Sequence, residues 1–177
     1  TAMAHRFVTA DGRSLPKFVN LDMEEYRDLS LTVAAFTQAL DEAEFMQYRA
    51  GIVLQAYLPD AFPVQRRLSE WSLSRVARGG AAIKVRIVKG ANLAMERVEA
   101  AWHGWQQAPY RSKPEVDANF KRMVIYGLQP ERAAAVHLGI ASHNLFDVAY
   151  GILLRAKYGA EAHAEFEMLE GMANHQA

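Results

Sequence analysis

Arg86 and Lys89 stand three positions apart in Arg86-Ile87-Val88-Lys89-Gly90-Ala91, two cations at the close of an apolar run with a glycine directly after them. Strand alternation puts Lys84, Arg86 and Val88 on one face and Lys89 on the other. A buried strand must neutralise such cations, with carboxylates of its own or with a bound anion. Gly90 lets a ligand come close to the main chain. Ser142-His143-Asn144 offers a second polar group, suited to a phosphate, a cofactor ring or general-base work. No second histidine stands at helical spacing from it and no carboxylate at ligand spacing, so a metal site is not expected. Gln55, inside Ile52-Val53-Leu54-Gln55-Ala56-Tyr57, needs its amide satisfied by neighbours or by a heterocycle edge. Asp22 reads either as a helix N-cap or as a carboxylate facing the cations. Lys84 and Arg86 paired with Asp22 or Glu167 in a structural ion network is the competing reading of the whole set.

These residues share a position. Asp22, Gln55, Arg86, His143 and Glu167 each close a short β-branched or aromatic run, and the stretches between the runs carry helical periodicity. Repeated βα units place chemistry at the C-terminal ends of their strands. Tyr26, Leu29, Val33, Phe36 and Leu40 predict a helix packed through one face. Val64 to Gly79, Leu93 to Trp105 and Val116 to Leu128 predict three more, and a last one over Leu145–Tyr158 is expected to bury Leu145, Val148, Ile152 and Leu153. Trp71, Trp102 and Trp105 fall on helical segments and are expected to pack. The fold class is therefore α/β of the (βα)8 barrel type, partial because about five units are present where closure needs eight. An irregular segment over 1–16 precedes a barrel portion over 17–177.

Composition narrows the partners. Lys plus Arg and Asp plus Glu are both 20, which builds in no global attraction to nucleic acid. There is no cysteine, which fits a reducing cytoplasm. No apolar stretch approaches a membrane span and the first residues lack a signal-peptide core. Gly79-Gly80 precedes a strand instead of following one, so it is a turn and not a dinucleotide fingerprint. No Gly-x-Ser-x-Gly elbow is present.

Phe18-Val19-Asn20-Leu21-Asp22-Met23-Glu24-Glu25, Gln55-Ala56-Tyr57, Arg86-Ile87-Val88-Lys89-Gly90-Ala91, Ser142-His143-Asn144 and Phe166-Glu167-Met168-Leu169-Glu170-Gly171-Met172, in that order, resemble the proline dehydrogenase family, in particular the catalytic barrel of bifunctional proline utilization A flavoproteins. The resemblance implies a distorted (βα)8 barrel that binds FAD and oxidises L-proline to Δ1-pyrroline-5-carboxylate. It also implies electrons passed to membrane quinone, so a cytoplasmic protein with peripheral contact at the inner membrane in its full-length form, and a fused aldehyde dehydrogenase domain outside this chain. By resemblance Asp22 and Arg86 are catalytic. Asp22 lies beside the substrate, Arg86 near the flavin N5 edge, and Leu169 lines the substrate pocket. Gln55 contacts the flavin ring, Val88, Lys89, Gly90 and Ala91 run along the cofactor, and Ser142 with His143 matches a Thr-His pair that holds FAD. Asn92 and Leu93 stand where many members have Tyr and Trp.

The family's paired arginines on a final helix have no match here. Arg66-Arg67-Leu68-Ser69-Glu70 follows the Gln55 strand and so matches an outer helix. The early strands with their substrate lysine are not recognisable before Lys17. The expectation is a central part of the catalytic domain, impaired in turnover by itself. Two other readings stand beside it: a non-catalytic barrel fragment, and a Schiff-base aldolase-like barrel using Lys89, which a borohydride-trapped adduct would reveal.

Overall fold

Alternation within Ile83–Val88 decides how the chain folds around it. Ile83, Val85 and Ile87 are at most 1% exposed, whereas Lys84, Arg86 and Val88 are only partly covered. One face of this strand thus meets a helical layer and the other meets a polar cleft. The structure is a computed structural model, and it describes residues 6–172. It begins with an antiparallel hairpin, β1 (Arg6–Val8) with β2 (Ser14–Pro16), turned through Gly12 at φ +82°. Part of the segment read as irregular is therefore paired main chain, because Thr9 and Arg13 close the turn through their main-chain groups. Residues 1–5 lie outside the described residues.

β3 (Val19–Leu21), α1 (Leu29–Asp41, entered through a 3-10 turn at Tyr26–Asp28), β4 (Ala50–Gln55), α2 (Ala61–Ala77) and β5 (Ile83–Val88) follow. α3 (Leu93–His103), α4 (Lys113–Gly127), α5 (Pro130–Ala133), β6 (Val136–Ala141), α6 (Leu145–Tyr158) and β7 (Ala164–Glu167) complete the order. The five strands from β3 to β7 form one parallel sheet in sequence order. Parallel neighbours joined by helices on one side are the βα repeat of a barrel wall, and the chain is a partial (βα) barrel. No helix among the described residues is long and apolar enough to cross a membrane.

The core lies between sheet and helices. Ile52, Leu54, Val85, Ile87, Leu138 and Ile140 meet Leu68, Phe120, Met123 and Val124, all at most 1% exposed. Each such side chain stabilises the fold by about 1.5–3 kcal/mol. α4 starts where Ser112 accepts from the Glu115 N–H while Glu115 accepts from the Ser112 N–H, with Pro114 in the first turn.

At the N-terminal ends of the strands, Arg75 of α2 is fully buried and has no carboxylate partner among the described residues. Its guanidinium donates to the carbonyls of Leu40, Phe45, Met46, Tyr48 and Ala81, so one side chain ties the end of α1 to the loops entering β4 and β5. Burial pulls its pKa down from the usual arginine value.

Three expectations about packing are corrected. α6 does not bury Leu145, Ile152 or Leu153, which are 53%, 46% and 71% exposed; its inner face is Asp147 and Gly151. A Cβ at Gly151 would sit 2.8 Å from Phe166, so the helix packs too closely for a larger residue there. Trp71 packs edge-on against Phe36, but Trp102 and Trp105 are exposed. Tyr26 is also exposed, held by a hydrogen bond from its hydroxyl to Asp60.

Candidate functional site

β4 to β7 end level with one another, β3 stops three residues short of the β4 end, and residues at or after each strand end reach a common cleft of about 720 Å³. All ten residues assigned to the site from the sequence line it: Asp22 after β3, Gln55 at the end of β4, Arg86, Val88, Lys89, Gly90 and Ala91 from β5 and its loop, Ser142 and His143 after β6, and Leu169 after β7. Pairing sets this convergence, since Gln55 lies opposite Val88, Arg86 opposite both Val53 and Gly139, and Ala141 opposite Glu167.

Arg86 Nε donates to Glu167 Oε2 at 2.6 Å, and its Nη1 lies 3.6 Å from Asp22. Glu167 also faces Lys84 at 3.0 Å, and Lys84 reaches Glu165 at 2.7 Å. Burial pulls the Lys84 pKa down, but the hydrogen bonds and charges of Glu165 and Glu167 outweigh it and raise it overall. The ion network expected as the competing reading therefore exists, and its Asp22, Arg86 and Glu167 line the cleft. Gly139 makes space for it, because a Cβ there would collide with Glu167. Asp22 caps no helix: it accepts from Asn20 at 3.0 Å, and Asp28 occupies the N-cap of α1.

Gln55 is buried, and its amide nitrogen donates to the carbonyls of Met23 and Glu24 at 2.9 and 3.1 Å. Both amide hydrogens are committed, so toward a ligand Gln55 can only accept. His143 has the opposite polarity. The Leu169 N–H donates to its Nε2 at 3.0 Å, which places the ring proton on Nδ1. That Nδ1 is buried and has no partner among the described residues. A buried N–H left unpaired costs about 1–3 kcal/mol, so a ligand acceptor there is favoured. Gly90 adopts φ +124°, and any Cβ would enter the Tyr57 ring. Glycine is required at this strand end by both conformation and space.

Lys89 leaves the inner face, as alternation predicts. Its ammonium lies 2.6 Å from Asp117 on α4 and 2.6 Å from Asp147 on α6. Burial disfavours the charge, yet the two carboxylates more than compensate and raise its pKa. A Schiff-base nucleophile must be unprotonated, so this environment opposes the aldolase reading. Asp117 and Asp147 were absent from the sequence-derived site, since acids on helices read as solvated; Asp147 is only 3% exposed. Arg66 and Arg67 are exposed on α2, as expected of an outer helix. Asn92 joins the loop after β5 to Glu24 through its side-chain amide, donating to the carbonyl and the carboxylate.

The family model described as proline dehydrogenase matches residues 5–177. Proline utilization A (PutA) from Corynebacterium freiburgense is 55% identical with a TM-score of 0.87, over 91% of this chain and 16% of that one. PutA from Bdellovibrio bacteriovorus, solved after inactivation by N-propargylglycine, is 40% identical with a TM-score of 0.80, over 88% of this chain and 16% of that one. The chain thus spans 16% of the length of either protein. No curated protein matches it.

Proposed function

The chain belongs to the proline dehydrogenase family, and from that membership we propose that its cleft is the flavin-holding part of an oxidoreductase that converts L-proline to Δ1-pyrroline-5-carboxylate. The observation that carries the reading is the buried, unpartnered Nδ1–H of His143 in a cleft that gathers every residue assigned from the sequence. FAD, when bound, supplies the acceptor for the electron pair that leaves the ring carbon beside the amine. Side chains cannot hold those electrons, and their part is binding and orientation.

In this reading Gln55 accepts from the ligand and His143 donates to it, which fixes one ring orientation. Val88, Gly90 and Ala91 let the cofactor lie against the main chain. Arg86 holds positive charge beside the reacting ring system, where it favours extra electron density, and Glu167 tempers that charge. Asp22 faces the substrate side, and Leu169 gives an apolar wall to a hydrocarbon ring. Each cation lining the cleft already meets a carboxylate: Arg86 with Glu167, Lys89 with Asp117 and Asp147, Lys113 with Asp117. A proline carboxylate therefore finds no unpaired counter-charge among the described residues of the cleft. Onward transfer to quinone, peripheral membrane contact and a fused aldehyde dehydrogenase domain belong to the proposal for the full-length protein.

The test is a visible absorption spectrum of the purified chain with FAD after gel filtration, followed by anaerobic L-proline. Retained flavin is expected. Bleaching by proline would establish the oxidation in this chain, retained flavin without bleaching would place substrate recognition in other parts of the protein, and absence of flavin would overturn the assignment of the cleft.

A further inference from the structure

Asp147 occupies the third position of α6, where an acid ordinarily reaches back to the N-cap N–H. Here that group, the Asn144 N–H, donates instead to Ser142 Oγ at 3.1 Å. The carboxylate turns inward, is the one buried acid among the described residues, and receives two donors on the same oxygen: Lys89 Nζ at 2.6 Å and Ser142 Oγ at 3.0 Å. These donors come from the ends of two adjacent strands, and both line the cleft.

We infer that Asp147 is a positioning residue that clamps the β5 and β6 ends and sets the hydrogen-bond polarity of Ser142 and Lys89 toward the cofactor. This rests on the flavin reading above. With its hydroxyl proton given to Asp147 and one lone pair taken by the Asn144 N–H, Ser142 faces the cleft only as an acceptor. Lys89 spends one N–H on Asp147 and one on Asp117, which leaves it a single N–H for a ligand. Lys113 completes the row at 2.6 Å from Asp117. The alternation Lys113, Asp117, Lys89, Asp147 is electrically balanced, so the row orients ligand atoms through directed hydrogen bonds rather than through net charge. Asp117 shares Lys89 but does not touch Ser142, and so it supplies the internal comparison.

The experiment has two readouts on the folded chain, with circular dichroism confirming the fold of each variant. The first needs no cofactor: the rate at which an amine-acylating reagent modifies Lys89, followed by peptide mass spectrometry across pH. Asp147→Asn and Asp117→Asn should each speed modification several-fold, because a less paired lysine loses its proton more readily. The second is FAD affinity by titration. Asp147→Asn should weaken binding by about tenfold, in the range of a lost charge-assisted hydrogen bond. Ser142→Ala should add little in the Asp147→Asn background, while its effect in the Asp117→Asn background should match that in the native chain. Unchanged Lys89 reactivity in folded Asp147→Asn, or Ser142 and Asp147 effects that simply add, would overturn the clamp. If the native chain takes up no FAD, the flavin reading fails while the labelling comparison still decides whether Asp147 controls Lys89.

Discussion

Arg75 and Arg86 are both cations set against the same sheet, yet the two ends of the sheet satisfy them differently. At the N-terminal end Arg75 is wholly enclosed and is satisfied by main-chain carbonyls of three separate segments. At the C-terminal end Arg86 remains partly accessible and is balanced by carboxylates that also face a cleft. Carbonyl ligands cannot be exchanged without moving the chain. A carboxylate pair can reorganise around a ligand at little cost to the fold. One end is thus built to be rigid, and the other to be responsive.

The largest effect should come from the rigid end. Arg75→Met strands several carbonyls without a donor and should lower unfolding free energy by about 3–5 kcal/mol, read from urea denaturation. Gly90→Ala should follow, at about 1–3 kcal/mol for the positive φ with the Tyr57 collision added, and thermal melting together with FAD titration should show stability and binding falling together. Arg86→Met sharpens the contrast: its partners are part-exposed, so stability should change by less than about 1 kcal/mol while FAD affinity, read by titration, falls. Equal destabilisation by Arg75→Met and Arg86→Met would erase the distinction between the two ends.

The smallest effect concerns pH. His137, on β6 near the rigid end, receives the Arg49 guanidinium at Nδ1 at 3.2 Å and faces His163 at 3.3 Å. Burial first, then the charges of Arg49 and His163, lower its pKa below the ordinary histidine value, with Glu165 acting weakly the other way. A base whose folded pKa is depressed takes up its proton more readily when unfolded. Stability is therefore full above the ordinary histidine pKa and declines as pH falls from there toward the folded value. Melting temperature against pH should show this slope, and His137→Gln should flatten it. At the other end, Lys89, whose pKa is raised, and Asp117, whose pKa is lowered because its bonds to Lys113 and Lys89 outweigh burial, contribute no slope in that window.

The sequence makes the strand ends legible to within two residues, because period-two alternation and a polar residue coincide at Gln55 and Glu167, with Asp22 one residue past β3 and Arg86 two short of the β5 end. It located the cleft for the same reason. Helix faces were harder. On α6 the apolar residues Leu145, Ile152 and Leu153 suggested an inner face, but Gly151 is demanded inside by Phe166, and the charge on Asp147 disguised its burial. Arg75 was equally illegible: a lone arginine near a helix end looks solvated until the loops that enclose it are folded. Asp117 belongs to the same class, since its role depends on Lys89 arriving from 28 residues away in sequence.

Gly139 contributes no side chain, yet it couples two positions as an inheritance constraint. A methyl group can enter position 139 only after the carboxylate at 167 has been shortened or turned away. Either change disturbs the carboxylate whose other oxygen holds Arg86 at 2.6 Å. The two positions therefore vary together, and a combinatorial library over 139 and 167 should be enriched in functional pairs in which the volume added at one is removed from the other.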